Sequence, residues 1–336
     1  MRFQMRKILS IIAASVLLCS CSAKKEEGIS IGVFIPGILE GSPVYSMLAE
    51  GVKSAADEFN SKNGDFSGAS VHVFQAGTNQ AQWSDKLTAL AAEGRYDVII
   101  SSNPSLPAIV EPISARFPSQ KFILLDAELF GNKSVATVSY NQYEQAYLTG
   151  YIGGLMSESH RLALIAAQEY PVMDNIIFPY FKKGAEDAVP GSTAEFRIVG
   201  NWYDAAKAAE IADALIKTGT DVILPICGGA AQGVLTSAVN SGIYITWFDD
   251  NGFSKAPQNI ISSTVMRQDR MASKMTDEFL AGGTKWGTAE TVGVSDGFIE
   301  FVQDDEAYIK NVPPEIRKKM AQLVDAIKNG TLKVGK

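Results

Sequence analysis

Three short apolar runs in the sequence end in side chains that could bind a polar solute. Asn103 closely follows the first run, Asp126 directly follows the second, and Asp249 directly follows the third. A carboxylate accepts hydrogen bonds from hydroxyl groups, and an amide both donates and accepts them. These residue types favour recognition of a hydroxylated ligand.

Aromatic side chains lie at or near the same predicted strand ends. Their flat faces would suit a planar, largely uncharged ligand by offset stacking. We expect about half of them to pack in the core or between lobes instead, Trp247 and Phe248 above all. The set is Tyr45, Tyr140, Trp202, Tyr203, Trp247 and Phe248.

The sequence offers little for catalysis. His72 and His160 are its only histidines, one in a predicted strand and one in a surface turn, so neither a histidine triad nor a histidine-rich zinc site can be built. The glycine-rich stretch at 228–233 lacks the lysine of a phosphate-binding loop. We therefore expect no enzyme, no cofactor and no metal site. The acidic chain has no basic cluster, which argues against nucleic acid.

The polar residues are placed by a strand, helix, strand unit at 96–126. The run at 98–100 is short and β-branched, as a buried strand is, whereas Leu106, Ile109, Val110 and Ile113 recur at helical spacing. A right-handed crossover makes the two strands parallel. Residues 101–103 and Asp126 then lie at the carboxyl edge of one sheet, where open α/β sheets bind ligands.

This alternation of strands and helices occurs twice along the chain. It predicts an α/β fold of two lobes, each a doubly wound, mostly parallel sheet, with the ligand in the cleft between them. We assign residues 29–137 and 250–285 to lobe 1 and residues 138–249 and 286–336 to lobe 2. The close spacing of Gly150, Gly153 and Gly154 predicts tight helix packing inside a soluble domain rather than a membrane helix pair.

The N-terminal segment has the layout of a bacterial secretory signal. Basic residues precede an apolar run at 8–18, and the run closes on a stretch that resembles a lipobox with Cys21 as the acylated residue. We expect a signal peptide at 1–20, a tether at 21–28 and a lipid-anchored protein facing the periplasm. An ordinary signal peptide that contains two cysteines is the alternative.

Export changes the charge and the cysteine count of the chain. Loss of Arg2, Arg6 and Lys7 would take the formal net charge from −7 to −10. Cys227 alone would remain in the folded part, so we expect no intrachain disulfide. A small core residue is the favoured interpretation of Cys227, with a reactive thiol as the alternative.

Several ordered stretches resemble the basic membrane protein family, also called purine nucleoside receptor A-like lipoproteins. They are YDVIIS at 96–101, ARFPSQKFILLDA from 115, YNQYEQAYLTGYIGGL from 140 and IKNGTLKV from 327. The resemblance runs from about residue 29 to 334. It implies a type I periplasmic binding protein whose chain crosses between the lobes. It also implies the substrate-binding component of an ABC importer, which works with a permease and closes its lobes on a small molecule.

The resemblance assigns roles to individual residues. Trp202 matches an aromatic that can stack on a base, Asp249 a carboxylate that grips ribose hydroxyls, and Gly228 and Gly229 a glycine turn beside the ligand. Asp126 matches a carboxylate after the fourth strand; capping a helix or bracing a hinge is its alternative. Asn103 could instead serve only the turn before Pro104.

The first loop departs from the nucleoside-binding pattern. Val44 stands at the position of the stacking phenylalanine and Tyr45 at that of an amide, and Glu40 is the one acidic residue of an expected pair. Met266 replaces a lysine, with Arg267 beside it. These departures make riboflavin the favoured ligand, since the family includes flavin-binding lipoproteins that this chain is similar to. A purine nucleoside is the alternative, and a ligand-sensing receptor subunit a third.

The sequence thus predicts a monomer that binds one small molecule. The predicted ligand-binding residues are Tyr45, Ser102, Asn103, Asp126, Tyr140, Trp202, Gly229, Asp249 and Arg267.

Overall fold

The computed structural model describes residues 28–63 and 68–335. The predicted signal peptide, the predicted lipidation site Cys21 and nearly all of the tether lie outside these residues. Within them, the strands form two six-stranded sheets with helices between most successive strands. The predicted α/β class and the two doubly wound sheets are confirmed.

The first sheet is entirely parallel, with the strand order β11-β5-β4-β3-β1-β2. Helices α1, α2, α3 and α8 accompany it. The strands are β1 (Ile29–Ile35), β2 (Ala69–Gln75), β3 (Val98–Ser102), β4 (Lys121–Leu125), β5 (Val135–Tyr140) and β11 (Ala289–Val292), and the helices are α1 (Pro43–Asn63), α2 (Trp83–Ala92), α3 (Leu106–Arg116) and α8 (Gln268–Leu280).

The second sheet has the order β12-β10-β9-β8-β6-β7 and is parallel except for the edge strand β12. Its strands are β6 (Arg161–Ala166), β7 (Thr193–Ile198), β8 (Val222–Ile226), β9 (Tyr244–Asp249), β10 (Ile260–Met266) and β12 (Ile299–Phe301), and its helices are α4 (Gln142–Met156), α5 (Phe178–Ala188), α6 (Ala205–Lys217), α7 (Ala231–Ser241), α9 (Glu306–Asn311) and α10 (Pro314–Lys328).

Local sequence explains why these elements begin and end where they do. All five residues of β3 are buried, as expected for a central parallel strand covered on both faces. Pro43 begins α1, where its fixed φ suits a first turn and its missing N–H is not needed. The Asn141 side chain caps α4 by accepting from the Glu144 N–H at 3.4 Å.

The glycines of α4 allow close packing against α5. A Cβ on Gly150 would lie 1.9 Å from the Phe181 carbonyl oxygen, and one on Gly184 would lie 2.2 Å from the Tyr147 carbonyl oxygen. The predicted close helix packing is therefore confirmed for this pair. In the described part of the chain, no helix is long and apolar enough to cross a membrane.

The chain passes between the sheets three times, and two of our assigned boundaries are wrong. β10 pairs with β9 and β12 in the second sheet, although residues 250–285 were assigned to lobe 1. β11 pairs with β5 in the first sheet, although residues 286–336 were assigned to lobe 2. Apolar runs predict that a strand forms, but its neighbour depends on tertiary contacts that local periodicity does not encode.

Candidate functional site: the cleft between the two sheets

The candidate site is built from the carboxyl ends of strands in both sheets. Asn103 and Asp126 follow β3 and β4 of the first sheet, and Asp249 is the last residue of β9 in the second. Tyr45 lies in the first turn of α1, after β1, and Trp202 lies in the loop after β7. Carboxyl edges of parallel sheets are the expected ligand-binding edges.

Asp126 and Asp249 have the same unusual backbone conformation. Their φ angles are +49° and +73°, in the left-handed region that L residues other than Asn and Asp rarely adopt. Such backbone strain is concentrated at functional sites, where the surrounding structure maintains it. In both sheets, the strain lies where the strand ends and its carboxylate turns toward the cleft.

The first turn of α4 contacts both carboxylates. Gln142 Nε2 donates to Asp126 Oδ1 at 3.1 Å, and Gln145 Nε2 donates to Asp249 Oδ1 at 3.1 Å. Gln145 Nε2 also donates to the Thr264 carbonyl oxygen at 3.3 Å. One helical turn therefore connects an acidic residue of each sheet.

The two carboxyl groups hold protons more tightly than ordinary aspartates. Burial, and to a lesser extent the charge of Asp249, raises the pKa of Asp126 to about 8. Burial raises the pKa of Asp249 to about 7, against the hydrogen bond from Gln145, which lowers it. Desolvation destabilises the charged form of a carboxyl group, and a second carboxylate nearby adds repulsion. Near neutral pH, the pair is therefore partly protonated.

Tyr45 and Asn103 form the wall of the cleft in the first sheet. Asn103 Nδ2 donates to the Tyr45 hydroxyl at 3.1 Å, while Asn103 Oδ1 accepts from the Ser105 N–H at 2.8 Å. Burial raises the pKa of Tyr45 to about 12, so its hydroxyl keeps its proton. Asn103 therefore stabilises the turn after β3, as the alternative interpretation predicted, and it also donates a hydrogen bond to Tyr45.

Trp202 and Tyr203 form the facing wall in the second sheet. The Trp202 ring covers Gly228, where a Cβ would lie 3.2 Å from Cε3, and Gly228 has a φ of +58°. Tyr203 is 61% exposed and lies near enough to Tyr45 to affect its pKa. Gly229 is exposed beside the same two aromatics. The glycine turn therefore gives the aromatic wall the space that it needs.

Three other predicted site residues have different surroundings. Tyr140 is buried beside Asp126, and its hydroxyl has no partner within the described residues. The Ser102 hydroxyl accepts a 2.7 Å hydrogen bond from Gln268 Nε2 and is buried. Arg267 pairs with Asp269 and Glu300, which occupy its guanidinium group.

Trp247 and Phe248 are buried, 8% and 5% exposed, in line with the core role expected of them. Cys227 is buried too, and burial raises the pKa of its thiol to about 12, which fits the small core residue expected there.

Sequence reasoning missed Gln142, Gln145 and Tyr170 as site residues. The sequence predicts no ligand contact for either glutamine. The sequence does contain a signal for Gln142 and Gln145, because both lie in the first turn of a helix that starts directly after β5. Tyr170 lies after β6, and its pKa is raised by burial and by the charges of Asp249 and Asp126. That loop has no sequence pattern that distinguishes it.

Comparison with known proteins decides the family. The profile of the Bmp family, described as ABC transporter substrate-binding protein PnrA-like, matches residues 29–334. The chain belongs to this family. The protein is therefore a Bmp-family substrate-binding protein of an ABC transporter, and its two sheets flank the candidate ligand cleft.

Relatives of this Bmp-family protein match it along most of its length. It is 24% identical over 332 residues to basic membrane protein A2 of Borrelia garinii, which covers 96% of this chain and 94% of the relative. It is 21% identical over 302 residues to the ABC transporter nucleoside-binding protein BmpA of Lactococcus lactis, which covers 85% and 82%.

Solved structures support the same fold. An ABC transporter solute-binding protein of Aeropyrum pernix matches with a TM-score of 0.72 and 19% identity, covering 91% of this chain and 92% of the other. A transcriptional activator of the comK gene from Bacillus halodurans matches with a TM-score of 0.73 and 20% identity, covering 91% and 99%. At such identities these likenesses concern the fold alone.

Proposed function

We propose that this Bmp-family protein captures a planar aromatic solute with a hydroxylated tail, riboflavin being the favoured ligand, by closing its two lobes. The observation that carries the proposal is the pairing of two aromatic walls with two partly buried carboxyl groups in one cleft. Tyr45 and Trp202 supply ring faces from opposite lobes, and Asp126 and Asp249 supply acceptors for hydroxyl groups.

The mechanism follows from the placement of these groups. A ligand that touches Tyr45 in one lobe and Trp202 in the other makes both contacts only when the lobes are closed. Its binding free energy therefore shifts the population toward the closed state. The permease would then receive the ligand from the closed form.

A ribityl tail suits the polar end of the cleft. The partly buried carboxyl pair can accept from several hydroxyl groups, and the oxygens Gln142 Oε1 and Gln145 Oε1 are buried without partners in the described structure. A ligand with a chain of hydroxyl groups would donate hydrogen bonds both to the carboxyl pair and to these two amide oxygens. The isoalloxazine ring would then lie between Tyr45 and Trp202, with no charged side chain required to hold it.

A purine nucleoside is the second candidate, and one observation favours it. The Lactococcus lactis relative is a nucleoside-binding protein by name. A ribose would bring fewer hydroxyl groups to the same carboxyl pair, and a purine is smaller than an isoalloxazine. The substitutions in the first loop, Val44 and Tyr45, are our reason for placing it second.

A titration distinguishes the two ligands. The protein made without residues 1–20 is mixed with riboflavin while flavin fluorescence is recorded, and then with guanosine, adenosine and inosine while tryptophan fluorescence is recorded. Quenching of flavin fluorescence that saturates near one equivalent would support riboflavin. No change with riboflavin and saturation with a nucleoside would reject riboflavin in favour of the second candidate.

We also propose that the protein is a monomer anchored by a lipid on Cys21. Mass spectrometry of the protein extracted from membranes tests the anchor, because acylation adds a diacylglyceryl mass to the N-terminal peptide. A Cys21→Ala variant should be released into the soluble periplasmic fraction. Retention of this variant in the membrane would contradict the assignment.

A further inference from the structure

The first turn of α4 is the place where the three chain crossings meet. Asn141 is in the first crossing, and its N–H donates to the Val292 carbonyl oxygen at 2.7 Å, at the start of the third. Glu144 Oε2 accepts from the Val294 N–H at 2.8 Å, also in the third crossing. Gln142 Nε2 lies 3.9 Å from Met266 Sδ, at the second crossing. This turn therefore holds the hinge.

The same turn also holds the carboxyl group of Asp249. Gln145 is fully buried, and its Nε2 lies between Asp249 Oδ1 and the Thr264 carbonyl oxygen. Both of those atoms only accept while Asp249 is ionised, so the amide nitrogen must face them. This fixes the orientation of the amide and directs its oxygen away from Asp249.

Gln142 repeats this arrangement three positions earlier in the same turn. Its Nε2 donates to Asp126 of the first sheet, whereas α4 itself packs in the second sheet. The bond therefore spans the two lobes. Asp126 and Asp249 both have strained backbone conformations, which persist only when the surrounding structure maintains them. The position of each carboxyl group therefore depends on contacts outside its own strand.

We propose that Gln145 and Gln142 are positioning residues, which fix the carboxyl groups of Asp249 and Asp126 for recognition of ligand hydroxyls and tie that recognition to the hinge. The inference deepens the proposed function and rests on it, because it takes both carboxyl groups as ligand-facing. A charge-assisted hydrogen bond of this kind stabilises the ionised form of an aspartate. That form is the one that accepts from two hydroxyl groups.

Other titratable groups are coupled to the pair by charge and must be kept constant in any test. They are Asp250 on the loop after β9, Tyr170 after β6, Tyr45 on α1 and Tyr140 at the end of β5.

The decisive variant is Gln145→Met, which keeps the shape of the side chain and removes the amide. We expect it to weaken riboflavin binding about tenfold, the effect of one lost charge-assisted hydrogen bond. If Gln145 acts through Asp249, the double variant Gln145→Met/Asp249→Asn should bind no more weakly than Asp249→Asn alone. Additive losses, or an affinity equal to wild type, would overturn the proposal.

A matched control is available at the second crossing. Gln268 is another fully buried glutamine whose Nε2 donates to a hydroxyl, that of Ser102, and not to a carboxylate. Gln268→Met removes an amide of the same kind and should lower stability without moving the titration of Asp249. Equal shifts in both variants would mean that the effect is general loosening, and would overturn the positioning role.

A second readout needs no ligand. Carboxyl carbon NMR of the ligand-free protein should show Asp249 titrating near 7 in the wild type and about one pH unit higher in Gln145→Met, since the bond from Gln145 lowers that pKa. This shift without any binding of riboflavin or nucleosides would reject the proposed function and retain the positioning role. No shift would reject the positioning role. If Gln145→Met does not fold, Gln145→Asn, which is too short for the contact, serves the same test.

Discussion

The hydroxyl of Tyr45 accepts a hydrogen bond of 3.1 Å from the side-chain amide of Asn103, and this joins the first turn of α1 to the end of β3. The resemblance to nucleoside-binding proteins predicts an amide at this position, where Tyr45 presents a ring instead. The side-chain amide of Asn103 lies nearby, but its nitrogen donates to the Tyr45 hydroxyl. The first wall of the cleft is therefore an aromatic face with a hydroxyl held at its edge.

Substitution of Tyr45 should separate the contribution of the ring from that of the hydroxyl. Tyr45→Ala should weaken ligand binding by about 1–3 kcal/mol, because it removes a stacking face. Tyr45→Phe keeps the face and should cost less than about 1 kcal/mol. The measurement is the fluorescence titration with riboflavin. A loss in Tyr45→Phe as large as in Tyr45→Ala would show that the ligand contacts the hydroxyl and not the ring.

Trp202 should be equally important on the facing wall. Trp202→Ala should weaken binding by about 1–3 kcal/mol. Trp286→Ala is a matched control, because that half-buried tryptophan packs against Phe279 outside the cleft, with ring centroids 6.4 Å apart. Both variants should lose some thermal stability, but only Trp202→Ala should lose affinity. Unchanged affinity in folded Trp202→Ala would remove this residue from the site.

Much of this fold follows from local sequence, whereas the site follows only in part. Buried runs such as 98–100 and 122–125 determine parallel strands, and strands of that kind bring Asn103 and Asp126 to one edge. Gln142 and Gln145 could not be placed in the same way. Their contacts lie 16 and 104 residues away along the chain, and no helical period encodes a partner at that distance. Residues 260–266 were misplaced for the same reason.

Arg267 should act on the hinge and not on the ligand. Its guanidinium group joins Asp269 at the start of α8 to Glu300 on β12, and thus connects the two lobes. Arg267→Met should therefore lower the free energy of unfolding by roughly 1 kcal/mol, because Asp269 loses its arginine partner and Glu300 keeps only the longer ion pair of 3.7 Å with Arg270. Affinity should change less than in Trp202→Ala.

Thermal unfolding and the riboflavin titration together test the hinge role of Arg267. Glu300→Gln is the control, since it removes one of the two contacts and leaves the arginine. An Arg267→Met protein of full stability that no longer binds would instead place the guanidinium group on the ligand.

The ligand-free protein should become less stable as pH rises from about 5 to about 8. The pKa values of Asp126 and Asp249 are raised to about 8 and about 7, from an ordinary value of 3.8. The native state therefore binds more protons than the unfolded state between these values, and the free energy of unfolding falls with pH across that window. The contribution is fully present below about pH 4 and is lost above about pH 8.

Thermal unfolding at a series of pH values checks this dependence, and Asp126→Asn/Asp249→Asn is the control. The double variant cannot lose protons at these positions, so its melting temperature should depend less on pH between 5 and 8. A melting temperature that rises over this range in the wild type, or falls equally in the variant, would contradict the assignment.

Ligand hydroxyl groups stabilise the ionised form of the two aspartates, so binding should also release protons near pH 7. Calorimetry in buffers of different ionisation enthalpy measures that release, and proton uptake on binding would show that the ligand accepts hydrogen bonds from protonated carboxyl groups instead.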